Sequence, residues 1–231
     1  MNPQDPNVAL VESVANALGY LNDRVVFVGG CAVGLLVTDD ARPVVRATQD
    51  VDILVEIATR AAYYEFAEEL RGIGFSEDHS ASVICRWRIG KLQVDVMPTE
   101  KEIFGFSNQW ALSAVRNASD VTLPSGRSIQ LISPPHLLST KLEAFFDRGN
   151  GDYAASHDIE DIVNLVDGRV ELVDEVRRSE TELREYLADE IEGLLVEDRF
   201  VNALPWHLGP TDVEQARVPA VIERLRKIAG I

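Results

Sequence analysis

Asp50 and Asp52 stand at the head of an apolar run, DVDILVEI, in which alternate residues face alternate sides of a strand. Asp50, Asp52, Leu54 and Glu56 then share one face, and Val51, Ile53, Val55 and Ile57 share the other. Two carboxylates at i and i+2 on a strand offer hard oxygens to a divalent cation. Mg²⁺ suits them, because it takes one or two protein carboxylates and completes its shell with substrate phosphates. Upstream, Val25 to Val28 is a brief apolar strand, and Gly29 and Gly30 let the backbone turn tightly. The small apolar helix expected from Ala32 to Val37 would present its N-terminal N–H groups, a natural seat for phosphate. A phosphate-cradling turn followed by a metal-holding Asp-x-Asp on the next strand is what phosphoryl or nucleotidyl transfer needs. The plainer reading is a simple turn beside two solvated aspartates.

Three further positions carry chemistry. Asp95 is a lone carboxylate on the apolar run Leu92 to Met97, where it is either a third site carboxylate or a rim residue capping a turn. Lys141 interrupts the apolar helical stripe Leu137, Leu138, Leu142, Phe145, Phe146, so its charge must snorkel or find an anion. A bound triphosphate is the nearest plausible anion, and removing the lysine is expected to leave the fold intact or slightly more stable. Asp158 and Asp161 lie one turn apart at the start of the next helix, where a first-turn carboxylate is also favoured by the helix dipole. In the loop from Thr38 to Thr48, which carries Asp39, Asp40, Arg42, Pro43 and Arg46, Arg46 either steadies a phosphate or pairs with an aspartate.

The elements that position these residues follow from periodicity. An amphipathic helix is expected over Val8 to Leu21 and another over Arg60 to Ile73. Val83 to Ile89 and Leu92 to Met97 read as a hairpin turning at Gly90-Lys91. An aromatic-rich connection follows over Glu102 to Asn117, including Phe104, Phe106 and Trp110. Asp120 to Leu123 and Arg127 to Ile132 form a second hairpin. From Ser133-Pro134-Pro135 onward the pattern is helical, with Glu171 to Leu195 continuing as helix and Trp206-His207 in a loop before Pro210, where plain packing is the expected role. The last helix, Thr211 to Ala229, breaks at Pro219.

The spelling GGCAVGLL followed by R-x-T-x-D-V-D at Arg46 to Asp52 resembles the AbiEii/AbiGii-type toxin branch of the polymerase-β-like nucleotidyltransferase superfamily. The resemblance covers about residues 20 to 168. It implies an α/β (α+β) fold: a nucleotidyltransferase core over 1–130 with a mixed twisted sheet flanked by helices, and a helical C-terminal half over 131–231 closing the active-site cleft. It implies that Asp50, Asp52 and Asp95 hold Mg²⁺ or Mn²⁺, with Asp95 near the acceptor hydroxyl. Gly29, Gly30, Cys31, Arg46 and Thr48 would serve the NTP phosphates together with Lys141, and Asp158, ahead of Asp161, would complete the site. Cys31 departs from the family, where Ser or Thr is common, and a thiol is a poor hydrogen-bond partner. The implied reaction moves an NMP from an NTP to RNA, tRNA or a protein, with a cognate antitoxin as partner. Two other readings stay open: nucleotidylation of a small cationic molecule, and a silent binding module that keeps the fold.

Composition narrows the partners. With 38 acidic against 22 basic residues the formal charge is −16, which disfavours a duplex-DNA binder. No apolar run is long enough to span a membrane, the N-terminus lacks a signal-peptide layout, and Cys31 and Cys85 are too few for a disulfide framework, so a cytoplasmic protein is expected.

Overall fold

The first helix starts where a proline follows a capping residue. Asp5 accepts a hydrogen bond from the Asn7 N–H at 2.8 Å, and Pro6 opens α1 (Pro6–Leu18). Gly19, at φ +57°, ends it three residues before the expected Leu21, and a 3₁₀ turn over Gly19–Arg24 leads into the first strand. The computed structural model describes residues 5–39, 45–105 and 108–231; Asp40, Arg42, Pro43 and Phe106 lie outside the described residues.

Two compact units divide the chain, one of Met1–Leu35 with Val44–Ser133, the other of Leu36–Pro43 with Pro134–Ile231. In the first, β1 (Val25–Val28) leads through a turn into α2 (Gly30–Leu36), and then come β2 (Asp50–Val55), α3 (Arg60–Gly72), β3 (Ser76–Glu77), β4 (Arg86–Ile89) and β5 (Leu92–Pro98). Two short helices, α4 (Lys101–Phe104) and α5 (Ala111–Arg116), precede β6 (Ser119–Thr122) and β7 (Ser128–Leu131). The aromatic connection is thus partly helical. The two-residue β3 is too short to leave a pattern in the sequence.

Among the described residues these strands form one mixed seven-stranded sheet in the order β3-β4-β5-β2-β1-β7-β6. The central strand β2 runs parallel to β5 and antiparallel to β1. Phe27, Ile53 and Val96 are fully buried on these three strands, each worth about 2 kcal/mol of transfer free energy. Helix α3 covers the opposite side of β4 from Arg86: Tyr63 receives the Trp87 indole N–H at 3.4 Å, and Arg71 stacks over the same indole. The strand expected from Val83 begins only at Arg86, and Val83 and Ile84 are exposed ahead of it.

The second unit is helical: α6 (Pro134–Arg148), α7 (His157–Gly168), α8 (Leu172–Arg178), α9 (Thr181–Val196), α10 (Asp198–Leu208), α11 (Asp212–Gln215) and α12 (Val218–Ala229). Helix α9 packs on α6 and α12, burying Leu183, Leu187, Ile191 and Leu194. The segment leaving α2 belongs here. Thr38 and Asp39 N–H groups both donate to the Gly168 carbonyl at 2.9 Å, and Arg217 binds Asp167 through both carboxylate oxygens and Asp39 at 2.5 Å.

Three expectations are corrected in this unit. Phe146 is 48% exposed rather than part of the apolar face. Trp206 and His207 lie in α10, not in a loop, and Trp206 is 80% exposed, so it does not pack. The final helical break falls ahead of Pro219, which sits in the first turn of α12 where its missing N–H costs nothing. Among the described residues no helix is long and apolar enough to cross a membrane.

Candidate active site

The sheet register decides which carboxylates meet. In the parallel β2–β5 pair Asp50 stands beside Gln93 and Asp52 beside Asp95. In the antiparallel β4–β5 pair Asp95 stands beside Arg86. Strand neighbours share a face, so Asp50, Asp52, Gln93, Asp95 and Arg86 all point to the same side of the sheet.

Gly29 closes this face from the β1 side. Val28 is the neighbour of Asp52 in the β1–β2 pair, so the turn that follows it passes directly by the carboxylate. Gly29 has φ +70°, and a Cβ there would overlap the Asp52 carboxylate. Glycine is therefore required twice, for backbone conformation and for room. Gly30 is the first residue of α2. The Cys31 side chain is fully buried and its thiol donates to the Val28 carbonyl at 3.1 Å, so it is committed to the strand end.

Sequence reasoning missed the cation on this face. Arg86 donates Nε to Asp95 Oδ1 at 2.8 Å and Nη2 to Asp95 Oδ2 at 2.8 Å, a planar fork on one carboxylate. The same Nη2 reaches Asp50 Oδ2 at 2.5 Å, and Nη1 reaches Gln93 Oε1 at 3.0 Å. Asp95, first through its hydrogen bonds, then Asp50, raises the Arg86 pKa above its ordinary value, so it is always charged. Cys85, next to it in sequence, is pushed up to about 12 by burial, with Asp95 and Asp52 adding to the effect. That thiol is inert as a nucleophile.

A signal for Arg86 was available. Gly90, at φ +58°, makes a two-residue turn with Lys91, which pairs Ile89 with Leu92. Counting back from that pair places Arg86 opposite Asp95.

Arg46 and Thr48 are positioned by a second missed residue. The buried Asn7 side chain donates to the Arg46 carbonyl at 3.0 Å and accepts from the Thr48 N–H at 2.9 Å and the Thr48 hydroxyl at 3.2 Å. The start of α1 thereby fixes the approach to β2.

Among the described residues no three His, Cys, Asp or Glu side chains converge on one point as a metal cage. The donor chemistry nonetheless fits a divalent cation. All three predicted ligands are carboxylates on one face, and Asp50 and Asp95 already meet around a single cation, the Arg86 guanidinium.

In the helical unit Lys141 finds its anions nearby. Its ammonium lies 3.1 Å from Asp158 and 2.7 Å from Asp161, all three side chains being almost wholly buried. Arg148 donates to both oxygens of Asp158 at 3.1 Å. Ser156 caps α7 by accepting the Ile159 N–H, which fixes the helix that carries both aspartates. Burial pushes the Asp158 carboxyl up, but Lys141 and Arg148 outweigh it and hold the group below the ordinary aspartate value. Two aspartates thus answer the Lys141 charge without a bound phosphate, so its place in the apolar stripe is balanced within the unit.

Comparison with known proteins gives structural likeness only. No family model matches the chain, and no curated protein matches it. A candidate nucleotidyltransferase from H. pylori is similar over 100% of this chain and 96% of its own, at 10% identity and a TM-score of 0.46. ANT(2")-Ia in complex with adenylyl-2"-tobramycin is similar over 68% of this chain and 86% of its own, at 16% identity and a TM-score of 0.44. The solution structure of the antibiotic-resistance factor ANT(2")-Ia covers 68% of this chain and 81% of its own, at 19% identity and a TM-score of 0.44.

Proposed function

We propose that the chain is a nucleotidyltransferase that moves an NMP from an NTP to an acceptor hydroxyl. The observation that carries this reading is the register of β2 and β5, which sets Asp52 beside Asp95 on the face that Asp50 shares, against the Gly29 turn. Asp50, Asp52 and Asp95 would hold Mg²⁺, or Mn²⁺ in its place. When bound, such a cation neutralises charge building on the phosphates and orients them for in-line displacement.

The chain's own part is positioning. Backbone N–H groups of the Gly29–Cys31 turn would receive the triphosphate, the Cys31 thiol being bonded to the Val28 carbonyl. The acceptor oxygen bonds to the α-phosphorus, the bond from that phosphorus to the oxygen bridging to the β-phosphate breaks, and pyrophosphate leaves. Asp95 is the carboxylate proposed to take the hydroxyl proton. Arg46 and Thr48 act through the backbone that Asn7 anchors, holding β2 in register.

The acceptor proposed is RNA, tRNA or a protein, in the role of the toxin of a toxin–antitoxin pair; this follows the sequence resemblance. A small cationic acceptor is the second reading, favoured by the formal charge of −16. Each NTP, labelled at the α-phosphate, is incubated with Mg²⁺ and in turn with total RNA, a protein extract or cationic small molecules. Label should enter the RNA or protein fraction, and the Asp52→Asn protein should transfer none. Label in the small-molecule fraction alone moves the assignment to the second reading, and equal labelling by wild type and Asp52→Asn overturns the site.

A further inference from the structure

Arg86 does more than brace the sheet. Its four hydrogen bonds, to Asp95 twice, to Asp50 and to Gln93, use four of the five N–H donors a guanidinium has. Both oxygens of Asp95 and one of Asp50 face it, and its side chain is only 19% exposed. Bonds of this type, between a fixed planar cation and carboxylates, are short and strong. The oxygens it holds are those of two proposed metal ligands, and a divalent cation beside it would meet a like charge at close range.

Resting on the proposed reading of this site, we propose that Arg86 is a positioning residue that competes with the divalent cation for Asp50 and Asp95. In the nucleotide-free protein the guanidinium keeps the two carboxylates together and holds the site's affinity for free metal low. Nucleotide phosphates offer Arg86 a new anion, so cation and NTP bind together rather than in sequence. The two binding events are then coupled, each strengthening the other. The device prevents a bare metal site from forming on a surface that lacks substrate.

The test is Mn²⁺ binding, followed by the loss of the free-ion paramagnetic resonance signal, on the full chain without nucleotide. Arg86→Gln removes the charge but keeps a polar side chain, and its Mn²⁺ affinity should rise about tenfold, within the usual range for coupled sites. Gln93→Leu removes the acceptor that holds Nη1 while keeping every charge, and its affinity should rise by a smaller factor, which decides the matter should Arg86→Gln fail to fold. Asp50→Asn serves as the ligand control and should bind more weakly than wild type. Unchanged or weaker Mn²⁺ binding in folded Arg86→Gln, or in Gln93→Leu if only that variant folds, overturns the competition and leaves the metal site standing. No Mn²⁺ binding by any of the proteins overturns the metal site itself, and the competition with it.

Discussion

Two clusters of opposite charge are built into this chain, and they are balanced differently. On the sheet, Asp50 and Asp95 share a single guanidinium, and Asp50 remains about one-third exposed. In the helical unit, Asp158 and Asp161 share the Lys141 ammonium, and Asp158 has the Arg148 guanidinium as well. On the sheet two carboxylates divide one guanidinium between them, whereas in the helical unit two carboxylates have two cations. A group that must receive a cation has to be short of one, whereas a group that only holds helices together is best satisfied from within. The difference suits the sheet cluster to receive a cation, and it gives Lys141 and Asp158, also proposed for the site, a part in holding α6 to α7.

The largest effect is expected in the sheet cluster. Asp52→Asn or Asp50→Asn should lower transfer ~100-fold or more, the loss of roughly 3 kcal/mol of transition-state stabilisation, with the melting temperature nearly unchanged. Activity assays beside thermal melts check both halves. A large drop in stability without loss of transfer would reverse the roles assigned to the two clusters.

Lys141→Ala should do the reverse to stability. It leaves Asp158 and Asp161 facing each other in the interior, and breaking such a buried pair costs about 3 kcal/mol. The denaturant midpoint should fall sharply, and Asp161→Asn in the same chain should recover part of the loss because it removes the stranded charge. A midpoint equal to wild type would show that the cluster contributes nothing to the fold.

Acid should find the helical cluster too. Asp158 titrates below its ordinary value when folded, so it binds protons less readily than in the unfolded chain. Its contribution is therefore fully present above about pH 4 and is lost as pH falls through the lower folded value. Urea midpoints measured from pH 7 down to pH 3 should decline for wild type at the acid end, with a shallower decline for Asp158→Asn over the same window. The smallest effect belongs to Arg148, whose side chain is 67% exposed. Arg148→Ala should cost no more than about 0.5 kcal/mol, since solvent screens its side of the pair.

Much of the sheet cluster could be read from the sequence, because strand periodicity puts Asp50 and Asp52 on one face and the Gly29-Gly30 turn marks the end of the strand before it. Asp95 followed from its place as a lone carboxylate on an apolar strand. Arg86 was missed although Gly90-Lys91 fixes the hairpin register, since a basic residue on a strand has no periodic signature of its own. Asn7 could not be read: its partners Arg46 and Thr48 are remote in sequence, and only the fold brings α1 to the entrance of β2. The Lys141 cluster was half visible. Asp158 and Asp161 were seen one helical turn apart, but their meeting with Lys141 depends on how α6 packs on α7 across the connecting loop. The sequence reading put Trp206 and His207 in a loop before Pro210, yet α10 runs through both and accommodates Pro205 inside it.

Nucleotidyl transfer on the sheet face is distinguished from other phosphate chemistry by which labelled phosphate reaches the acceptor. Parallel reactions contain Mg²⁺, the acceptor fraction and the preferred NTP labelled either at the α- or at the γ-phosphate. Nucleotidyl transfer requires that α-label become covalently attached to the acceptor, that γ-label leave in pyrophosphate, and that Asp52→Asn abolish both. Attachment of the γ-label instead, or release of inorganic phosphate without any attached α-label, would contradict it.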